Sequence, residues 1–297
     1  MNIISRYLGL IRFSHTLFAL PFALLSYAMA LKLNFAEGKV PRLFDLFGIL
    51  LCMVFARSAA MGFNRLADRK LDAENPRTSN RHLPQGLVSA GGVIIFVTIC
   101  SAGFIASTLL FFPNKIPLYA CVPVLLFLFC YSYTKRQTSA AHFWLGASLM
   151  LAPIAAWIAV RPRYEPAPLL LGWAVLFWTA GFDLIYATQD ADFDKRSGLF
   201  SVPGRYGVAA ALQLSALCHC VAAALFAVIL YVFEPFGWIY GAGLAAAAAV
   251  LIAEHIMTAP KRGKPLNLDR INRAFFHLNV CISLILFAAG VLDLIWE

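Results

Sequence analysis

The chain has 297 residues, of which 61% are apolar and only 13% charged, with mean hydropathy +0.75 and net charge +9. This composition excludes an ordinary soluble domain and describes an integral membrane protein. The excess positive charge is scattered over loops between apolar stretches, so it marks an anionic membrane face or substrate, not nucleic acid.

A membrane-spanning helix needs about 20 mostly apolar residues. Nine segments qualify in chain order: 14–33, 43–62, 89–112, 116–134, 141–160, 167–187, 207–233, 236–258 and 273–295. Internal Pro21, Pro123, Pro153 and Gly243 are tolerated in such helices. No cleavable leader is expected, because the first apolar stretch is long enough to span and lacks a small-x-small cleavage signature. With the N-terminus inside, 18 of the 24 Lys and Arg residues fall on the inner side, among them Lys261, Arg262 and Lys264. The positive-inside rule thus predicts a cytoplasmic N-terminus in an all-α, polytopic fold. The whole chain, 1–297, reads as one membrane domain.

The seven cysteines lie within apolar spans and contain no C-x-x-C pair, so neither a disulfide framework nor a metal centre is expected from them. Cys218-His219-Cys220 does not make a metal site either, because helix residues at i and i+2 point apart.

Acidic residues are scarce, at 15, and seven of them fall in or beside two short stretches, 64–72 and 183–194. The first reads Asn64-x3-Asp68-x3-Asp72. The second reads Asp183-x2-Tyr186-x3-Asp190-x3-Asp194, with Asp192 between. Four-residue spacing puts Asn64, Asp68 and Asp72 on one face of a helix that continues beyond the second span. Asp183, Tyr186, Asp190 and Asp194 share a face likewise, while Asp192 points elsewhere into solvent. Asp68 and Asp190 are 122 residues apart, as are Asp72 and Asp194, and each stretch follows an even-numbered span. Two related halves with both acidic stretches on the cytoplasmic face are expected.

Carboxylates are costly near lipid and point to function. Paired carboxylates suit Mg²⁺, which takes oxygen ligands and commonly bridges protein to phosphate. The bland alternative is an interfacial salt-bridge network with Arg65, Arg69, Lys70, Lys195 and Arg196. Arg57 lies seven residues before Asn64, on the same face and about 10 Å deeper by the helical rise. An anion is its natural partner, although pairing with a cluster Asp or snorkelling would also satisfy it. Tyr131 and Lys135 end the fourth span, and Arg77 and Arg81 follow the first acidic stretch, as ordinary loop charges also do.

With these residues in hand, the chain resembles the UbiA superfamily of intramembrane aromatic prenyltransferases over essentially its whole length. The likeness rests on Asn64-x3-Asp68-x3-Asp72, Arg77-Thr78-x2-Arg81-x-Leu83-Pro84-x-Gly86, Tyr131-Ser132-x2-Lys135 and Asp183-x2-Tyr186-Ala187-x2-Asp190-x3-Asp194. The resemblance implies nine helices around a central cavity, with a polyprenyl diphosphate held by two Mg²⁺. It implies that Asn64, Asp68, Asp72, Asp190 and Asp194 serve metal and diphosphate, and that Lys135, with Arg77 and Arg81, binds the diphosphate. It places Arg57 at the carboxylate of an aromatic acid, with Tyr131, Ser132, Tyr186 and Asp183 also on the substrate side.

The chain departs from the family pattern at Arg65, where many members carry an acid, and at His15, where ubiquinone enzymes often have Lys. The implied reaction is prenyl transfer to 4-hydroxybenzoate in quinone synthesis, at the inner membrane. The stretches at 15–23 and 200–203 look more like a branch some of whose members serve menaquinone synthesis, which would mean a hydroxynaphthoate-type acceptor. A transporter would place its polar residues near the bilayer midplane. A CDP-alcohol phosphotransferase would show one contiguous D-G-x2-A-R motif, which is missing. The acceptor of the ring proton is left open between the diphosphate and Asp183.

Overall fold

In a computed structural model of the full chain, residues 3–260 and 267–296 are described, apart from the side chains of residues 3, 4 and 13–15. The basic residues Lys261, Arg262 and Lys264 and the His15 side chain, all used in reading the sequence, lie outside the described residues.

Among the described residues the structure is helical without strands, and nine helices are long and apolar enough to cross a membrane. They run Thr16–Ala36, Leu43–Ala67, Ala90–Phe111, Ile116–Thr134, Ala141–Val160, Pro166–Arg196, Val208–Val232, Trp238–Thr258 and Leu268–Trp296. This is the expected number and order. The helices are α1 (Ile3–Leu10), α2 (Leu20–Ala36), α3 (Leu43–Ala67), α4 (Arg69–Glu74), α5 (Ala90–Thr108), α6 (Ile116–Thr134) and α7 (Ala141–Val160). Then come α8 (Pro166–Ala187), α9 (Ala191–Arg196), α10 (Val202–Tyr206), α11 (Val208–Val232), α12 (Trp238–Thr258), α13 (Leu268–Arg273) and α14 (Asn279–Trp296).

Helix starts follow local chemistry. Ser89 Oγ accepts the Gly92 amide at 3.1 Å to open α5, and Asn267 Oδ1 accepts the Arg270 amide at 3.0 Å to open α13. Prolines sit in the first turn of α2, α6, α8 and α10, where the missing N–H costs nothing.

The helices cluster into two compact units, the first formed by Met1–Thr16 and Arg42–Lys135, the second by Leu17–Pro41 and Arg136–Glu297. In the first, α3 packs on α5 and α6, and Phe63 stacks on Phe129 at 4.5 Å. In the second, α8 is flanked by α7 and α11, α2 lies on α7, and α12 on α14. Its core is aromatic: Phe22, Trp157, Trp178, Phe182, Phe226 and Tyr240 are enclosed.

Lipid is as apolar as Leu, so helices associate through close packing and interhelical hydrogen bonds. A Cβ on Gly146 would strike the Leu176 carbonyl, so this glycine lets α7 and α8 approach. Ser26 Oγ donates to the Pro153 carbonyl at 2.7 Å, and Ser215 Oγ to that of Gly181 at 2.7 Å. At one end of the second unit Arg161 gathers Glu37 (2.6 Å), Glu165 (2.6 Å) and Asn34 (3.0 Å), tying the end of α2 to the α7–α8 turn.

Candidate functional site

The first acidic stretch departs from the continuous helix expected of it. The α conformation ends at Ala67, Asp68 takes φ −90°, ψ 4°, and α4 resumes at Arg69. The Asn64 carbonyl still accepts from the Asp68 amide at 2.9 Å, and Asp68 from Asp72 at 2.8 Å. The i→i−4 ladder is thus kept through the break.

Asp68 is buried and holds Lys135 Nζ at 2.9 Å through Oδ2. Asn64 Nδ2 donates to the same oxygen at 3.2 Å and to Ser132 Oγ at 3.4 Å. Four predicted site residues thus meet at the ends of α3 and α6. Tyr131 is half-buried beside Ser132, and its carbonyl accepts Thr134 Oγ1 at 2.7 Å.

After α4 the chain folds back on itself. Thr78 Oγ1 donates to the Asp72 carbonyl at 3.0 Å, the Arg77 amide donates to Asn75 Oδ1 at 2.9 Å, and Gln85 Nε2 donates to the Ser79 carbonyl at 3.0 Å. Gly86, at φ 69°, closes the turn. The fold-back delivers Arg81 Nη1 to both oxygens of buried Asp72, at 2.7 and 2.8 Å. Arg81 Nε is enclosed without a partner, so part of its donor fork is unused.

Arg57 sits two turns before Asn64 in α3. Its Nε is enclosed and unpartnered, and no carboxylate pairs with it among the described residues. Pairing with Asp68, one of the options open from sequence, is not what the chain does. Lys135 occupies that carboxylate instead.

Arg65 has a structural task the sequence did not disclose. It is buried, and its Nε donates to the Leu10 carbonyl at 3.2 Å, anchoring the end of α1.

The second stretch breaks at the corresponding place. Helix α8 ends at Ala187, a 3₁₀ turn covers Thr188–Asp190, and Asp190 opens α9 with φ −103°, ψ 6°. Asp194 is buried, Asp190 half-buried and Asp192 exposed, as the spacing predicts. Behind Asp194 lies α10, capped by Ser201 Oγ on the Gly204 amide at 3.2 Å. A Cβ on Gly204 would stand 3.0 Å from Asp194 Cβ and 2.9 Å from Ser201 Oγ, so glycine is needed for this approach.

Tyr186 stacks on Phe275 with ring centroids 4.1 Å apart. Phe275 belongs to a π-helical turn, Ala274–Leu278, whose extra residue is accommodated by buried Asn279. Asn279 Nδ2 reaches the Ala274 and Phe275 carbonyls (both 3.3 Å) and Glu254 Oε1 (2.9 Å). Nothing in the one-dimensional pattern signals this turn. Asp183 pairs with His142 at 2.7 Å, a partner equally invisible in sequence because the two are 41 residues apart.

Among the described residues no three of His, Cys, Asp and Glu converge on one point. His219 instead bonds His255 at 2.9 Å, with Cys218 buried and Cys220 exposed on different sides of α11. The acidic stretches offer carboxylate and amide oxygens in small sets. That donor set fits Mg²⁺, which is commonly held by one or two carboxylates together with substrate phosphates, not by a protein cage.

The sequence profile of the UbiA prenyltransferase family matches residues 19–280. The chain belongs to the UbiA prenyltransferase family. It is a prenyltransferase and a multi-pass membrane protein, which sets aside the transporter and phosphotransferase readings. Among UbiA relatives, the 4-hydroxybenzoate octaprenyltransferase of Pseudomonas fluorescens is 31% identical over 87% of this chain and 83% of its own. That of Nitrosomonas eutropha is 30% identical over 81% of this chain and 80% of its own. The solved apo structure of a UbiA homolog from Aeropyrum pernix K1 superposes with a TM-score of 0.81 at 31% identity, covering 94% of this chain and 98% of that one. A UbiA homolog from Archaeoglobus fulgidus, bound to GPP and Mg²⁺, shares the fold with a TM-score of 0.68 at 20% identity, over 97% of this chain and 99% of that one.

Proposed function

We propose that this UbiA prenyltransferase moves a polyprenyl group from its diphosphate to the ring of an aromatic acid, with 4-hydroxybenzoate as the acceptor. The observation that carries the reading is Arg57, a half-buried arginine within a membrane span whose enclosed Nε has no partner and with which no carboxylate pairs among the described residues. A charge so placed calls for an anion, and a planar fork is the group that matches a carboxylate bidentately. The names borne by relatives near 30% identity point to the same acceptor.

In this reading Asp68, Asp72, Asp190, Asp194 and the Asn64 amide oxygen hold Mg²⁺. When bound, the metal supplies Lewis-acid neutralisation of diphosphate charge. Lys135, Arg77 and Arg81 add fixed positive charge for the leaving diphosphate as the allylic C–O bond breaks. Lys135 and Arg81 are already seated on Asp68 and Asp72, so both carboxylates are kept charge-neutralised before substrate arrives. Arg57 orients the acid, while Tyr131, Ser132, Tyr186 and Asp183 line the substrate side. The apolar spans keep water from the allylic cation.

Residues 1–297 then form one catalytic domain, with the N-terminus and both acidic stretches facing the cytoplasm across the inner membrane. The distribution of Lys and Arg supports that orientation. The forms of the 15–23 and 200–203 stretches support a hydroxynaphthoate acceptor as a second reading. Membranes containing the chain, given Mg²⁺, labelled polyprenyl diphosphate and both acceptor classes, decide the matter. Labelled prenyl-hydroxybenzoate is the expected product, and labelling of the naphthoate alone transfers the assignment to the second reading.

A further inference from the structure

His142 stands at the start of α7 and Asp183 near the end of α8, with His142 Nδ1 2.7 Å from Asp183 Oδ2. A carboxylate can only accept, so the shared proton sits on Nδ1. His142 Nε2 is enclosed and has no hydrogen-bond partner. The ring is therefore held through Nδ1 alone. This is the arrangement in which a carboxylate and an imidazole fix each other's orientation.

The contact leaves polar capacity unspent. The Asp183 side chain keeps 17% of its surface, and its Oδ1 has no partner among the described residues. One turn earlier on the same face of α8, buried Thr179 Oγ1 has none either. A clamp between α7 and α8 would account for Nδ1 and Oδ2 only. Two enclosed polar atoms without a partner, His142 Nε2 and Thr179 Oγ1, beside a partly exposed carboxylate are expensive and call for a reason.

We infer that Asp183 is the base that takes the proton from the prenylated ring, and that His142 is the residue that positions it. The inference rests on aromatic prenylation as proposed above. The C–O bond of the donor breaks with its electron pair on the diphosphate, and a ring carbon then forms the new C–C bond to the allylic cation. The C–H bond at that carbon breaks next, its electrons restore the aromatic ring, and the proton goes to Asp183 Oδ1. The Nδ1–H of His142 keeps Oδ2 engaged, so Oδ1 is the oxygen presented. Neutral Asp183 returns the proton to water at its exposed edge, and no oxidant or further reactant is needed.

The test uses the purified full chain with Mg²⁺, polyprenyl diphosphate and 4-hydroxybenzoate carrying deuterium at the ring positions ortho to the hydroxyl. Loss of a general base costs about 10²- to 10⁴-fold, so Asp183→Asn is expected to slow prenylation by about 10²-fold or more. It should also show a primary isotope effect larger than the parent's, because proton removal has become limiting. His142→Leu should show the same isotope signature with a smaller loss, and His142→Asn, which retains a donor for Oδ2, should recover most of the rate. Parent-like turnover in Asp183→Asn overturns the inference. So does a rate loss in both Asp183→Asn and His142→Leu without any isotope effect, which marks a purely structural pair. If Asp183→Asn does not fold, His142→Leu against His142→Asn decides on the same readout. A parent chain that prenylates no aromatic acid overturns the functional reading itself, and this inference with it.

Discussion

Asp68 and Asp190 occupy the same backbone conformation, φ −90°, ψ 4° and φ −103°, ψ 6°, each at the point where a long membrane helix gives way to a short one. They are 122 residues apart in the chain. This sparsely populated region near φ −90°, ψ 0° is where many active-site residues sit. Its recurrence at two sequence-equivalent carboxylates extends the repeat from residue types to local geometry. Each break ends a membrane helix with a carboxylate at the turn and a second, buried one a turn later.

From this equivalence, Asp68→Ala and Asp190→Ala should each lower prenyl transfer by on the order of 10²-fold or more, since metal-borne charge stabilisation is worth several kcal/mol. EDTA should abolish activity, and added Mg²⁺ should restore it. Asp192→Ala, at an exposed side chain, should retain substantial activity. Turnover in purified protein with and without chelator checks all three, and full activity in either cluster variant would sink the two-stretch site.

Arg57→Lys keeps the charge but loses the fork. The expected result is a raised KM for the aromatic acid with little change for the prenyl diphosphate. A charged hydrogen bond is worth roughly 1.5–3 kcal/mol, about tenfold or more. Kinetics with each substrate varied in turn measures the split. An unchanged KM for the acid means that its carboxylate is held elsewhere.

Arg81 and Asp72 form a pair with only 20% and 7% of their side-chain surfaces exposed. Removing one partner of such a pair strands the other charge, at about 3 kcal/mol or more. Arg81→Ala should therefore destabilise the protein in detergent by that order. The same substitution in an Asp72→Asn background should cost much less, and a double-mutant cycle on thermal unfolding reports the difference. Additive effects would show that the contact contributes nothing.

At the turn beyond α2, the Arg161 guanidinium, with Lys39 beside it, holds the Glu37 carboxyl down at about 2, against an ordinary 4.5. A depressed folded-state value means that the stabilisation is complete above pH 4.5 and disappears as pH falls toward about 2. Glu37→Gln should lower the unfolding temperature at neutral pH, and the gap from the parent should close across that acid window. A gap that persists at the acid end would assign the effect to packing.

Apolar run lengths, the spacing of Asn64, Asp68 and Asp72, and the 122-residue offset are local or periodic properties, so nine helices and two acidic stretches were legible in the chain itself. Solvation by lipid demands about 20 apolar residues per span, and that demand is written residue by residue. The exposure of Asp192 against the burial of Asp194 followed from helical periodicity alone. What the helix pattern could not foresee was the break at Asp68, where α3 ends and α4 begins although the four-residue spacing runs on unbroken. Pairings between distant residues were likewise beyond it: Arg81 with Asp72 through a folded-back turn, Arg65 with the Leu10 carbonyl, His142 with Asp183, and Phe275 with Tyr186 across a π turn. A side chain's partner is set by which helices pack together, and that is decided by close fits such as Gly146 on Leu176 and Gly204 on Asp194. The sequence by itself determined the class, the elements and the chemical groups; only tertiary packing decided which of those groups meet, because contact energies between helices depend on shapes that no single segment contains.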